Sequence, residues 1–349
     1  MKKVLSVVFL IVGTIIGAGF ASGREISVFF ARFGIYSLFF MPFLFILLYF
    51  IFKLFLNIGR HKNFDNIFEL NNFTNNSIFM NTLISFTFLI FSSAMFSGAV
   101  EILSNNFINI PSIIFYLIIF LICYFVLKSG FKGLIKVNVI LVPILIISIL
   151  CLCIYATFSP VCEIEFIPQS SGVIGLPFSI LIYATGNILL SYFLLVKAGK
   201  GLDEKQIKKV SLISSLIICS VIFVCIVCLI KNGSAILDCT MPFIALSLRL
   251  GEGFYIAYVL VVLVGILSTL FSGIFTASQS LKVNRHRDFI CLSLVLALSF
   301  LGFKEIVDNV YPILGIIGIF VILRFMFAYR SFLKSGFQPC HHKVHKPCK

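Results

Sequence analysis

Acidic residues are scarce in this chain and tryptophan is absent. Asp and Glu number 13 among 349 residues, against 27 Lys and Arg, and charged residues of all kinds make up 11%. So low a charge content, with 60% hydrophobic residues and a mean hydropathy of +1.13, excludes a soluble globular protein, whose exterior must stay largely polar. No polar stretch is long enough for a soluble domain; the longest, around Arg60–Asn76, reads as a loop. No HExxH or GxSxG occurs and no pair of carboxylates falls within an apolar run. The usual hydrolytic constellations are therefore missing, and with them the case for an enzyme. The same scarcity weakens a proton relay built from Asp and Glu. The missing Trp accompanies 42 Phe and abundant Ile, Asn and Lys; it reads as drift in an AT-rich gene and carries no functional meaning.

What the chain has instead is a succession of apolar runs of about twenty residues, the length that crosses a bilayer as a helix. Breakers delimit ten of them: 4–32, 35–58, 79–103, 111–127, 134–157, 172–197, 208–230, 251–281, 289–303 and 307–330. The first and sixth are interrupted and the ninth is short. Basic residues test the count independently, because they collect in cytoplasmic loops. With the N-terminus inside, all Lys and Arg except Arg24, Arg32, Lys231, Arg249 and Lys304 fall on the inner side. A miscounted helix would reverse every later loop and spoil that segregation. The expected protein is all-α and polytopic, in a bacterial cytoplasmic membrane, with both termini in the cytoplasm. The net charge of +14 then reports topology; the partner is the lipid bilayer and no nucleic acid is expected. A cleaved signal peptide is the alternative for the MKK start, but the apolar run is longer than a usual signal core.

Ten helices divide as five and five, and an odd half must insert with inverted orientation relative to its successor. The expected organisation is a first repeat over 1–160, a second, inverted repeat over 161–330 and a basic cytoplasmic tail over 331–349. Inverted repeats of this kind place a site near the midplane, built by discontinuous helices. Helix 1 carries Gly13, Gly17, Gly19 and Gly23, each costing roughly 1 kcal/mol of helix stability relative to Ala. Helix 6 carries Gly172, Gly175 and Pro177 near its start and Tyr183-Ala184-Thr185-Gly186-Asn187 mid-span, and is expected to break there. Helices 3 and 8 share Ser-x-x-x-Ser-Gly, as SSAMFSG from Ser92 and LSTLFSG from Leu267. Small residues of this type also serve plain helix packing.

A helix unwound near Gly17 frees carbonyls at the end of its inner half, which attract cations. It also frees N–H groups at the start of its outer half, which attract anions. The run GTIIGAGFASGRE resembles the N-terminus of the YkvI-type bacterial membrane proteins, in the amino acid–polyamine–organocation (LeuT-fold) superfamily. That resemblance implies a ten-helix core of two inverted repeats working by alternating access. Similarity to the sodium-coupled amino-acid members implies that the carbonyls of Gly13 and Ile16 ligate sodium and that the amides of Ala18 and Gly19 hold a substrate carboxylate. It adds the carbonyl of Gly265 and the hydroxyls of Ser268 and Thr269 from helix 8. Positions i, i+3 and i+4 share one helix face, and neutral hard oxygens suit a hard cation. Thr14 replaces the Asn that serves a second sodium site in those relatives, which points to one sodium. Beyond that coupling ion no cofactor is expected.

The candidate solute contacts are Gly17, Ala18, Gly19 and Phe20 from helix 1, Ser93 and Phe96 from helix 3, and Tyr183, Ala184, Thr185, Gly186 and Asn187 from helix 6. Arg24 and Glu25 read either as an outer gate pair or as an exposed interfacial pair. Small and aromatic residues suit a small zwitterion, although no acidic group is placed to hold its ammonium. Cys162 and Cys239, in outer loops, are candidates for a disulfide; most other cysteines sit in apolar runs and behave as small hydrophobes. The tail Cys340-His341-His342, with His345 and Cys348, fits no standard zinc spacing and reads as disordered. The expected function is sodium-coupled secondary transport of a small organic solute such as an amino acid. The alternative is a ligand-sensing receptor subunit with a transporter fold, resembling the integral-membrane subunit of spore germinant receptors and requiring a protein partner.

Overall fold

The computed structural model describes residues 2–64, 66–74, 78–107, 109–128, 130–159, 175–237, 239, 241–280, 287–301 and 303–334. Cys162, Gly172 and the tail residues Cys340–Cys348 lie outside the described residues. Among the described residues every regular element is helical. Helix 1 runs over Lys2–Ile15 and continues in two short pieces, Ala18–Ala21 and Arg24–Phe29. Helices 2 to 5 are Met41–His61, Ile78–Asn106, Ser112–Lys128 and Gly130–Phe158. Helices 6 to 10 are Gly175–Gly199, Glu204–Lys231, Glu252–Ser280, Arg287–Leu298 and Phe303–Lys334. Seven stretches among the described residues are long and apolar enough to cross a membrane, and the first piece of helix 1 with helices 4 and 9 are shorter apolar helices. The protein is an all-α, polytopic membrane protein.

Two boundaries differ from the sequence expectation. Helix 2 begins at Met41, not near 35: a separate one-turn helix over Tyr36–Phe39 ends at Phe40, and Pro42 occupies the first turn of helix 2, where its missing N–H costs nothing. Helix 6 does not break at Tyr183–Asn187; it is continuous over Gly175–Gly199. A Cβ on Gly186 would meet the backbone N of Gly315 at 3.4 Å, and one on Gly318 would run into the Thr185 carbonyl. Gly186 therefore lets helix 10 approach closely, as small residues do in membrane helix pairs. The polar side chains mid-span bond along the helix instead of interrupting it, Thr185 to the Leu181 carbonyl (2.8 Å) and Asn187 to the Tyr183 carbonyl (3.1 Å).

Packing sorts the helices around helix 1 and helix 6. Helix 1 lies against helices 5 and 7, while helix 6 lies against helices 10 and 2. Helices 3 and 8 pack on one another, and their shared small-residue pattern meets there: a Cβ on Gly273 would come within 2.6 Å of the Ser92 hydroxyl. Helix 4 turns Leu117, Leu121 and Phe125 outward, a face suited to lipid. At the far end of helix 6, Tyr192 donates a 2.8 Å hydrogen bond to the Asn71 side-chain carbonyl, tying the short helix Ile67–Asn72 to the bundle. Both residues are buried. Tyr192→Phe leaves that acceptor unpaired and is expected to cost about 1–3 kcal/mol, read as a lower melting temperature of the purified protein.

Candidate functional site

The break in helix 1 is local and well defined. The Ile16 amide makes an α-type bond to Val12 (2.7 Å), whereas the Gly17 amide turns to the Ile15 carbonyl (2.9 Å). The Gly13 carbonyl thereby loses the amide partner a continuing helix would supply. A second bend follows at Gly23, whose φ is 81°, a conformation glycine adopts without strain.

Helix 8 faces the first break. The Ser268 hydroxyl donates to the Gly13 carbonyl (3.3 Å) and the Thr269 hydroxyl to the Gly265 carbonyl (3.1 Å). A Cβ on Gly17 would collide with the Thr269 hydroxyl, and one on Gly265 would stand 3.4 Å from the Gly17 carbonyl. Gly13, Gly17, Gly265, Ser268 and Thr269 thus converge at one point, and Ile16 lies fully buried in the same turn. Gly17 is needed to make room for the Thr269 side chain, not for an unusual φ.

Helix 6 presents Tyr183 to the end of the last short piece of helix 1. Its ring packs against Phe30 edge-on at 4.9 Å and against Phe29 at 5.8 Å. One turn earlier Ser179 donates to the Phe29 carbonyl (2.9 Å), a contact that i, i+4 spacing from Tyr183 could have revealed. Ala184 and Asn187 are buried in helix 6, and Phe20 is buried in helix 1. Three expected solute contacts point elsewhere. Thr185 donates to the Gly315 carbonyl (2.8 Å) and Gly186 faces helix 10. Phe96 stacks on Tyr116 of helix 4 at 6.0 Å. Ser93 is buried and bonds back to Ile90 of its own helix.

Arg24 and Glu25 each reach a different neighbour. Arg24 is half-buried and reaches the Cys239 carbonyl at 3.4 Å. Glu25 is only 3% exposed and folds back over Gly19, its Cδ and Cγ occupying the space within 2.7 and 2.8 Å of where a Cβ would project. The reading of Glu25 as an exposed interfacial residue is therefore wrong. This end of helix 1 is covered by the segment between helices 7 and 8 and by the start of helix 8. Phe243 donates its amide to Ser22, Ser27 its hydroxyl to Leu237, and Tyr258 its hydroxyl to Ala21, at 3.0, 3.0 and 2.8 Å.

No protein-family model matches the chain. It is 32% identical over 142 residues to the uncharacterized membrane protein YkvI of Bacillus subtilis (strain 168), a match covering 40% of this chain and 41% of the relative. The chain thus aligns with less than half the relative's length. Crystal structures of mutants of the Eremococcus coleocola manganese transporter share the fold. One superposes with a TM-score of 0.57 at 14% identity, covering 95% of this chain and 78% of that one. Another gives 0.56 at 15% identity with the same coverage.

Proposed function

We propose that the chain is a secondary active transporter of a small organic solute, an amino acid or a related compound, coupled to sodium and working by alternating access. The observation that carries the reading is the contact between the broken segment of helix 1 and Gly265, Ser268 and Thr269 of helix 8. A transporter needs an ion site that spans two elements able to move apart. A carbonyl freed by unwinding, facing hydroxyls on a second helix, gives such a site without a charged side chain. Gly13, Ile16, Gly265, Ser268 and Thr269 supply hard, neutral oxygens for sodium.

The exchange of neighbours around helices 1 and 6 supports two repeats over 1–160 and 161–330: exchanging helix 1 with 6, 5 with 10 and 7 with 2 maps one set of contacts onto the other. The distribution of Lys and Arg supports termini in the cytoplasm. Manganese, the cargo named for the structural neighbours, fits less well. Among the described residues no three His, Cys, Asp or Glu side chains stand together as a metal site.

The test is a melting experiment on the purified protein in sodium and in potassium at equal ionic strength. A ligand that binds the folded state raises the melting temperature. Sodium is expected to raise it and potassium not, and Ser268→Ala is expected to weaken the sodium response at least tenfold in half-saturating concentration. Equal behaviour in the two salts rejects the coupling ion. Flux of the solute in proteoliposomes then separates a carrier from a receptor, which binds without net transport.

A further inference from the structure

Helices 2 and 6 end side by side, at His61 and Gly199, and a cavity of about 190 Å³ lies between their ends. Gly59 and Val196, where the two backbones meet, line it together with Lys62, Lys197 and Lys200. None of its described lining residues is acidic. Glu204, which reaches Arg60 of helix 2 at 4.0 Å, is held closer by Lys208 at 2.8 Å. Lysines at helix C-termini ordinarily offset the dipole, about half a negative charge at each end. Two ends thus balance about one ammonium group, and they do not account for three in one cavity.

Aromatic rings fix two of the three. Lys62 lies over Phe73 and Phe332, both at 4.8 Å, and Lys197 over Phe193 and Phe275, at 4.9 and 5.6 Å. A ring face orients an ammonium without cancelling its charge. Phe332 belongs to helix 10, Phe275 to helix 8, and Phe73 follows the short helix Ile67–Asn72. The surrounding bundle therefore sets where these charges stand.

We propose that this cavity seats the head group of an anionic phospholipid, its phosphate held between Lys62 at the end of helix 2 and Lys197 and Lys200 at the end of helix 6. Helices 2 and 6 are apolar spans, so their ends lie at head-group depth. On the proposed topology this is the cytoplasmic side, where basic pockets between helices take anionic head groups. The seat bridges helix 2 to Lys200, next to Gly201, whose carbonyl accepts a 2.6 Å hydrogen bond from Lys3 of helix 1. A bound lipid thus braces the turn to which the start of helix 1 is tied. No oxygen proposed for sodium takes part, so this site stands or falls apart from the coupling ion.

The experiment adds phosphatidylglycerol, phosphatidylcholine or inorganic phosphate to the purified full chain in detergent and reads the melting temperature. The two lipids share a phosphodiester and differ in net charge, while inorganic phosphate supplies the anion without the lipid. Phosphatidylglycerol is expected to raise the melting temperature by roughly 5 °C near saturation. Phosphatidylcholine should raise it far less, and inorganic phosphate at the same concentration should leave it unchanged. Lys62 and Lys200 are exposed, so the variant Lys62→Gln/Lys200→Gln should keep the fold. It should need roughly twentyfold more phosphatidylglycerol, at about fivefold for each lysine, and Lys200→Gln alone about fivefold more. Lys205→Gln/Lys209→Gln removes the same charge from exposed positions of helix 7 outside the cavity, and should leave the requirement unchanged. Absence of a phosphatidylglycerol response overturns the proposal. An equal response to phosphatidylcholine or to inorganic phosphate overturns the anionic lipid as occupant. Equal losses in the two double variants overturn the cavity as its seat, in favour of a general basic surface.

Discussion

Gly17→Ala should abolish the sodium response while leaving most of the protein folded. The new methyl would collide with the Thr269 hydroxyl and stand 3.0 and 3.1 Å from the Thr269 Cβ and Cγ2. Rotating Thr269 offers no escape, because a β-branched side chain only exchanges its methyl for its hydroxyl. Helix 8 cannot settle elsewhere cheaply either. At Gly265 it already runs close to helix 1, where a Cβ would come within 2.9 Å of the Ala21 methyl. The break and helix 8 must therefore separate, at an overpacking cost of about 1–3 kcal/mol, and the Gly13 carbonyl moves away from the Ser268 hydroxyl. The measurement is the sodium-dependent melting shift. The compensating pair Gly17→Ala/Thr269→Ala removes both the colliding oxygen and the Cγ2. It should recover most of the melting temperature in potassium and none of the sodium response. Recovery of both would show that Thr269 only fills space.

The parts of this site that could be read in the chain are those where composition dictates backbone behaviour. Glycines at 13, 17, 19 and 23 inside an apolar run weaken a helix wherever they occur, and the break does fall at Ile16–Gly17. The i, i+3, i+4 relation of Gly265, Ser268 and Thr269 places all three on one face of helix 8, so their common direction followed from periodicity alone. What faces them could be read only by resemblance, since no spacing within one helix identifies its neighbour.

The misreadings share one cause. Gly186 beside Thr185 and Asn187 has the same composition whether a helix unwinds or merely lets another helix come close. Only the placement of Gly315 and Gly318 opposite decides between the two. Phe96 likewise lies in the right span, but its face turns it toward Tyr116 of helix 4. Glu25 follows an apolar run directly after Arg24, as a solvated interfacial pair does. Its burial depends on the Gly23 bend and on the covering segment near Phe243, both tertiary features. The helix count was legible because the scarcity of charge leaves each loop marked by its basic residues.

Gly59→Ala is expected to act in the opposite manner, lowering stability sharply while any folded protein keeps its sodium response. Its Cβ would collide with the Val196 carbonyl and lie 2.7 and 3.0 Å from the carbonyl carbon and Cα of that residue. The contact is reciprocal: a Cβ on Gly199 would strike the Leu56 carbonyl and stand 2.9 Å from both its carbonyl carbon and its Cα. Helices 2 and 6 therefore meet backbone to backbone at this end, with no flexible side chain to give way. Separating them loosens two of the best-packed surfaces of the bundle, since Leu56, Phe55, Tyr192 and Phe193 are all fully or almost fully buried nearby. A cost of about 3 kcal/mol or more is expected, seen as a melting temperature lower by roughly 5–10 °C and a reduced yield of folded protein. The sodium oxygens belong to helices 1 and 8, which meet each other without helix 2. The half-saturating sodium concentration of the surviving fraction should thus match wild type within about twofold. The two glycines then separate two uses of one residue type: Gly17 makes room for an ion site, and Gly59 makes room for a helix crossing. A large change in sodium affinity in Gly59→Ala would instead mean that the helix 2–helix 6 pair sets the conformation of the broken segment from a distance.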